Sequence, residues 1–250
     1  MSGPLYIDAD PADLRRTFGL DDADLPEVLV VDGRWSTASL FADVERTWPS
    51  ARRVEERIML VEVAGRQVWL AGVFGAAQAL TYTHLAVRLG AQAVVQVGSF
   101  GGLADGWAVG DCLVPSAVVG RDGVSRQLTD GAPVVPDTSL ADRLRRGLAA
   151  AGMPVRGGTL VTTTTIALER HSDVARWRRA GHAGVDMECA ATLAMAVSAG
   201  VPAAGAFFLI DNLADDHTVF QQTDEERMRC RFSRDAILRA AVASAVQSVS

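Results

Sequence analysis

The chain contains few cysteines and few histidines, which argues against a disulfide framework and against a metal site. Its 250 residues include three cysteines and four histidines. Cys112, Cys189 and Cys230 are odd in number and far apart, with neither a CxxC pair nor a histidine at metal-ligand spacing. We therefore expect reduced thiols, no metal ion and no cofactor.

Basic residues are not in excess, and no apolar run is long enough to cross a membrane. The net charge is −6. Arg227, Arg229 and Arg231 lie beside Glu225 and Glu226, a pattern typical of a solvent-exposed helix face. No run reaches the roughly 18 apolar residues of a membrane span, and the N-terminus has no basic segment followed by an apolar one. We expect a cytoplasmic protein with no membrane and no nucleic-acid polymer as partner.

Apolar residues are abundant and are arranged in short runs. They make up 49% of the chain, enough for one large core, so we expect a single domain over residues 1–250. Strand-like runs alternate with segments of helical periodicity. They predict strands at 25–31, 58–64, 67–74, 93–97, 111–120, 156–165, 185–188 and 203–210, and helices at 37–47, 77–89, 140–151, 173–180, 189–199 and 224–249. The alternation predicts an α/β fold, a three-layer αβα sandwich around a mixed, largely parallel, twisted sheet.

One stretch organises the functional prediction. The apolar strand 93–97 runs into residues 98–102, GSFGG. Glycines leave the main chain accessible, so we predict a ligand-binding loop at a strand's end, although a plain turn between core strands fits the same pattern. Ser99, Glu188 and Asp211 all lie at the ends of predicted strands, and ligands of parallel α/β folds bind at the carboxyl ends of strands.

Three segments resemble a known family. They are VGSFGGLADGWAVGDCLVPSAVV at 97–119, VDMECAAT at 185–192 and Ile210-Asp211-Asn212. In order and spacing they are similar to segments of the nucleoside phosphorylase and nucleosidase superfamily, including its Val-Glu-Met-Glu stretch and its C-terminal Ser-Asp. The resemblance covers most of the chain. It implies a phosphorylase-like fold and a homo-oligomer, either a dimer or a hexamer.

Two carboxylates carry the implied chemistry. Cleavage of an N-glycosidic bond develops positive charge on the sugar and negative charge on the base, so a site must hold the ribose and protonate or hydrogen-bond the base. By resemblance, Glu188 binds the ribose 2′ and 3′ hydroxyls, and Asp211 is the catalytic acid on the N7 side of a purine. Taken alone, Glu188 also fits an acid at a helix N-terminus, and Asp211 a turn residue before Asn212.

The resemblance assigns further residues to the nucleoside. Met187 would pack on the sugar, and Tyr6 stands where the family has a histidine near the 5′ position. Ile166 replaces a base-stacking aromatic residue, and Phe74 replaces a methionine. The predicted substrate-binding set is Tyr6, Phe74, Ser99, Phe100, Gly101, Ile166, Asp186, Met187 and Glu188. Pyrimidine-specific Gln and Arg contacts are not evident between residues 166 and 184, which favours a purine or purine-like base.

The phosphate site departs from the family pattern. Two phosphate-binding arginines of the family are replaced by Thr37 and Gln96, which removes two bidentate anion contacts. Arg34 lies close enough in sequence to substitute. The predicted phosphate-binding set is Gly33, Arg57 and Ser99. Arg57, like Tyr6, is implied to reach the pocket of a neighbouring subunit.

Three functions therefore stay open. The leading prediction is a phosphorylase that cleaves a ribonucleoside with inorganic phosphate as co-substrate. The replacements at Thr37 and Gln96 keep a hydrolytic nucleosidase as the alternative, with Asp8 or Asp10 as the candidates for activating water. The third is a nucleoside-binding protein without turnover. His217 and Arg227 are close to Asp211 in sequence, and either could polarise it.

Overall fold

Helices are interspersed with single strands and short groups of strands along the chain. The computed structural model describes residues 6–249, so residues 1–5 and 250 of the predicted domain lie outside the described residues. The strands are β1 (Val28–Gly33), β2 (Arg52–Glu55), β3 (Ile58–Val63), β4 (Arg66–Val73), β5 (Ala93–Gly102), β6 (Cys112–Leu113), β7 (Ala117–Gly120), β8 (Val155–Arg156), β9 (Thr159–Thr162), β10 (His182–Asp186) and β11 (Ala203–Asn212). The helices are α1 (Pro11–Phe18), α2 (Thr37–Thr47), α3 (Ala76–Arg88), α4 (Arg126–Thr129), α5 (Thr138–Ala150), α6 (His171–Arg179), α7 (Cys189–Ser198) and α8 (Asp224–Val246).

Strand β5 is the centre of the sheet. Along one side it pairs in parallel with β11, from Ala203↔Val94 to Asn212↔Gly102. Along the other side it pairs first with β1, in parallel, as far as Gly33↔Gly98. It then pairs with β10, antiparallel, at Gly101 and Gly102. The pairing of β5 with β1 stops at Gly98, and its pairing with β10 starts only at Gly101. The sheet therefore has a gap on this side of β5, and the site described below lies at this gap.

Helices cover both faces of the sheet. One core cluster joins alternate residues of β1, β5 and β11 to helices α2, α5 and α8. The other joins the intervening residues of the same strands to α3 and α7. Strands buried on both faces require continuous apolar runs, which the sequence supplies. The predicted three-layer α/β fold with a mixed, largely parallel sheet is confirmed.

Two predicted strands are interrupted in the structure. The run predicted at 156–165 forms β8 and β9, with the break at Gly157 and Gly158. A Cβ at Gly158 would lie 2.5 Å from that of Ala183, so the chain packs there too closely for a larger residue. The run predicted at 111–120 divides into β6 and β7 around Pro115, which has no N–H to donate to a neighbouring strand.

The prediction of a glycine loop at 98–102 is wrong, because these residues complete strand β5. Their glycines permit close packing between strands. A Cβ at Gly98 would lie 3.1 Å from the Gly33 carbonyl oxygen, and one at Gly102 would lie 2.8 Å from Asn212 Oδ1. Strand β11 is likewise longer than predicted: Asp211 lies within it, paired with Gly101, and not just beyond the strand's end.

No helix in residues 6–249 is both long enough and apolar enough to span a bilayer.

Candidate functional site

A cavity of about 920 Å³ occupies the opening in the sheet. The carboxyl ends of β1, β5, β10 and β11 form its floor. Two irregular segments form its rim, one at residues 166–171 and the other at 216–220. Ten of the predicted residues line it: Gly33, Phe74, Ser99, Phe100, Gly101, Ile166, Asp186, Met187, Glu188 and Asp211. The fold thus brings together residues that are up to 178 positions apart in sequence, from Gly33 to Asp211.

Tyr6 and Arg57 are not part of this cavity. Tyr6 is 77% exposed. Arg57 is half-buried, and its Nη1 donates a hydrogen bond to Thr37 Oγ1 at 3.1 Å. Both were predicted to reach the pocket of a neighbouring subunit, and that role stays a prediction.

Glu188 lies between β10 and α7 and is almost fully buried, with 6% of its surface exposed. Its Oε1 accepts a hydrogen bond from the Gly75 amide at 2.6 Å. A Cβ at Gly33 would lie 2.7 Å from Oε2, so the glycine makes room for the carboxyl group. Burial, and then the nearby charge of Asp186, raise the pKa of Glu188 to about 8. At neutral pH the group is mostly protonated.

Asp186 holds Glu188 in place and does not offer a free carboxylate. Its Oδ2 accepts hydrogen bonds from the amides of Glu188 at 3.1 Å and Cys189 at 2.6 Å. Its Oδ1 accepts one from the Thr162 hydroxyl at 2.5 Å. Burial raises its pKa to about 6, although these hydrogen bonds oppose the shift. Asp186 was predicted to bind substrate, but both of its oxygens are engaged by the start of α7 and by β9.

Asp211 follows an irregularity in the pairing of β11 with β5, between Leu209 and Asp211. Its Oδ2 accepts a hydrogen bond from the Val219 amide at 3.1 Å, and its Oδ1 faces Gly101. Burial raises its pKa to about 6, whereas the Val219 hydrogen bond and the charge of His217 act in the opposite direction. The residue therefore supports the rim segment and also presents a carboxyl group that titrates close to neutral pH.

Phe100 lines the cavity, but most of its side chain is buried. Its side chain is 1% exposed and packs edge to face on Trp107, with ring centroids 5.2 Å apart. The ring therefore belongs to the core. Phe74 lies at the mouth of the cavity, where it packs against Trp35 with centroids 5.1 Å apart.

Glu169 is a carboxyl group that the sequence did not suggest. It follows the 3₁₀ turn Ile166–Leu168 and lines the same cavity as Asp211. Burial, and then the charges of Asp211 and Asp173, raise its pKa to about 7. Arg170, exposed at the rim, lines the cavity beside it. No motif marks this segment, because its position depends on how the turn folds over the sheet.

Thr37 and Gln96, which stand where the family has phosphate-binding arginines, place no charged group in the cavity. Gln96 is fully buried, and its amide is bound to Thr192 Oγ1 and to the Val97 carbonyl oxygen. Thr37 accepts its hydrogen bond from Arg57. Neither residue lines the cavity.

Arg34 lines the cavity, but its charge is already paired. The guanidinium donates hydrogen bonds to the carboxylates of Asp32 and Asp43, the latter at 2.9 Å. Burial opposes ionisation, yet these two carboxylates raise the pKa of Arg34 above its usual value. Arg34 is therefore a weaker candidate to replace a phosphate-binding arginine of the family.

Across residues 6–249, no three His, Cys, Asp or Glu side chains are grouped so that they could hold a metal ion.

The fold and the cavity define an α/β protein with a small-molecule site at the carboxyl ends of its parallel strands. The family model described as "Phosphorylase superfamily" matches residues 28–243, and the chain belongs to that superfamily. The resemblance noted in the sequence is thus confirmed. The uridine phosphorylase from Vibrio fischeri ES114 has a similar structure, with a TM-score of 0.80 and 18% identity over 91% of this chain and 95% of that one. No curated protein sequence matches at a significant level.

Proposed function

We propose that this chain is a nucleoside phosphorylase-type enzyme that cleaves the N-glycosidic bond of a purine or purine-like ribonucleoside with inorganic phosphate. The observation that carries the proposal is the placement of Glu188 and Asp211 in one cavity of about 920 Å³ in a member of the phosphorylase superfamily. Two separated carboxyl groups can serve the sugar and the base at the same time. The proposal needs no cofactor.

In this reaction Glu188 holds the ribose. The Gly75 amide fixes Oε1, which leaves Oε2, beside Gly33, to hydrogen-bond the 2′ and 3′ hydroxyls. Hydrogen bonds from the ribose hydroxyls favour the ionised form of Glu188, and a buried carboxylate close to the sugar stabilises the positive charge that develops there, because the local dielectric constant is low. Met187 would pack against the sugar.

Asp211 donates a proton or a hydrogen bond to the departing base. Its pKa of about 6 keeps a usable fraction protonated near neutral pH, and a general acid works best when its pKa is close to the working pH. Glu169, with a pKa of about 7, lines the same cavity and is a second candidate donor to the base. Replacement of Asp211 by Asn removes the ionisable carboxyl group but keeps a side chain of nearly the same size and shape.

The first experiment measures base release from a panel of purine and pyrimidine nucleosides. We expect Asp211→Asn to lower the rate by about 100-fold or more, the usual contribution of general acid catalysis. Asp130→Asn is the matched control, because Asp130 is exposed and does not line the cavity. If Asp211→Asn retains the wild-type rate, the acid has been assigned wrongly. A preference for uridine would replace the purine assignment, and Arg170 at the rim would then be the first residue to test.

Hydrolysis is the second candidate, because Thr37 and Gln96 bring no charge to the phosphate position. The same assay, run with and without inorganic phosphate, separates the two reactions. Phosphorolysis requires phosphate and yields ribose 1-phosphate, whereas hydrolysis proceeds at equal rates without it and yields ribose. Nucleoside binding without release of base would instead support a binding protein.

The proposal includes a homo-oligomer in which Tyr6 and Arg57 reach a neighbouring cavity. Size-exclusion chromatography with light scattering would report the number of copies. If the protein were a fully active monomer, Tyr6 and Arg57 could not contribute to the site of a neighbouring subunit.

A further inference from the structure

Arg234 of helix α8 lines the cavity, and the reaction proposed above does not use it. Its guanidinium carbon lies 5.3 Å from the centre of the Phe208 ring. Among residues 6–249 the guanidinium group has no hydrogen-bond acceptor and no carboxylate within 4 Å. A guanidinium carries five N–H donors, and here none of them has an acceptor in the described chain.

The position of Arg234 follows from the sheet. A small hollow continuous with the strand ends is lined by Asp32, Gly98, Phe208 and Arg234, where β1, β5 and β11 run side by side. Phe208 is paired with Ser99 across the parallel strands. Paired residues project from the same face of a sheet, so the Ser99 hydroxyl lies beside the ring that Arg234 covers. That hydroxyl also has no hydrogen-bond partner among the described residues.

The charges around Arg234 leave it available to a ligand. Burial, and next the charge of Arg34, lower its pKa, although the carboxylates of Asp32 and Asp43 act in the opposite direction. Asp32 and Asp43 both accept hydrogen bonds from Arg34, and Asp43 accepts a second from Arg46, but neither accepts one from Arg234. An arginine stays charged in a protein, and a half-buried, unpaired one is stabilised when an anion binds its N–H edge.

We propose that Arg234 and Ser99 form an oxyanion subsite in the cavity. The bound group is either inorganic phosphate, with Arg234 serving in place of the arginines that Thr37 and Gln96 replace, or an acidic substituent of the nucleoside itself. This inference rests on the proposed function, because it takes the ligand to be a nucleoside or its co-substrate. It adds a positively charged residue from the C-terminal helix to a cavity otherwise rich in carboxyl groups.

Titration calorimetry on the full chain tests the subsite without requiring catalysis. The ligands are inorganic phosphate, the neutral nucleosides adenosine and uridine, and their 5′-carboxylates. We expect Arg234→Gln to weaken oxyanion binding by about tenfold or more, the effect of one charge-assisted hydrogen bond, and to leave the neutral nucleosides unchanged. Arg234→Lys should lose less. Arg231→Gln removes the same charge from an exposed position of α8 and should change nothing.

Comparing phosphate with the nucleoside 5′-carboxylates shows which oxyanion the subsite binds. A loss confined to phosphate assigns the subsite to the co-substrate, and a loss confined to the carboxylates assigns it to an acidic nucleoside. Equal oxyanion binding by wild type and a folded Arg234→Gln variant, or no oxyanion binding by wild type, overturns the proposal. Because base release is measured separately, equal oxyanion binding by the two forms leaves the proposed cleavage reaction standing, whereas absence of phosphate binding by wild type would also favour hydrolysis over phosphorolysis. Melting temperatures of all variants confirm that they are folded.

Discussion

The two walls of the cavity are built in different ways. The Glu188 wall belongs to the core: Glu188 is 6% exposed, and Asp186 fixes it to α7 and β9 through three hydrogen bonds. The Asp211 wall is completed by short turns on the surface, in which Leu168 is 72% and Phe220 is 90% exposed. The proposed ribose side of the cavity is therefore prearranged, whereas the proposed base side is closed by segments that contribute little to the core.

The largest difference in stability between the two walls should appear when the Asp186 carboxylate is removed. Asp186→Ala leaves two buried amides and one buried hydroxyl without acceptors, and each such group costs roughly 1–3 kcal/mol. We expect the free energy of unfolding, measured with urea, to fall by about 4 kcal/mol. Asp211→Ala, which removes a single hydrogen bond, should lower it by about 1 kcal/mol. Similar losses for both variants would show that the two walls are equally integrated into the fold.

The two walls should also differ in the pH range over which their carboxyl groups change the stability of the protein. Both carboxyl groups have raised pKa values in the folded state, so their stabilising contribution is fully present below the unfolded pKa and is lost as pH rises through the folded one. For Glu188 this window runs from 4.5 to about 8, and for Asp211 from 3.8 to about 6. From pH 6 to 8, wild type should therefore lose about 2 kcal/mol relative to Glu188→Gln, since each pH unit within the window corresponds to ~1.4 kcal/mol and the ionisation is half complete at pH 8.

Urea unfolding at pH 6 and pH 8 measures this difference. Asp211→Asn is the matched control, because most of the stability lost through ionisation of Asp211, whose folded-state pKa is about 6, is lost below pH 6. If Glu188→Gln and wild type change in parallel over this range, the carboxyl group of Glu188 is already ionised at pH 6.

The smallest effect is expected at the rim. Phe220 is 90% exposed, so Phe220→Ala should change the free energy of unfolding by no more than about 0.5 kcal/mol, as is usual for surface positions. Since Phe220 lines the cavity, the same variant should weaken nucleoside binding measured by calorimetry. A large loss of stability would show that the rim is part of the core. Unchanged binding would place Phe220 outside the ligand's reach.

Much of the fold could be read from local patterns. Helix α2 has the predicted bounds, and the strands predicted at 58–64 and 67–74 form the hairpin β3–β4. Its turn lies at Ala64 and Gly65, which both have positive φ values, one residue earlier than those strand limits predicted. Such features depend on periodicity and turn chemistry, which are local properties of a sequence. Continuous apolar runs predicted the buried strands for the same reason. The exposed strand β2, with the polar sequence RRVE, carries no such pattern and was missed.

The sequence alone determined the layered α/β fold, the family and the acidic residues at the strand ends, because apolar periodicity and short motifs are written in neighbouring positions. What those acidic side chains face depends on how the chain packs in three dimensions. The early end of β1 beside β5 opened the cavity, and burial there raised the pKa values of Glu188 and Asp211. Segments distant in sequence brought Glu169 and Arg234 to the same cavity. Burial and electrostatic coupling depend on contacts across the whole chain, and no local pattern encodes them.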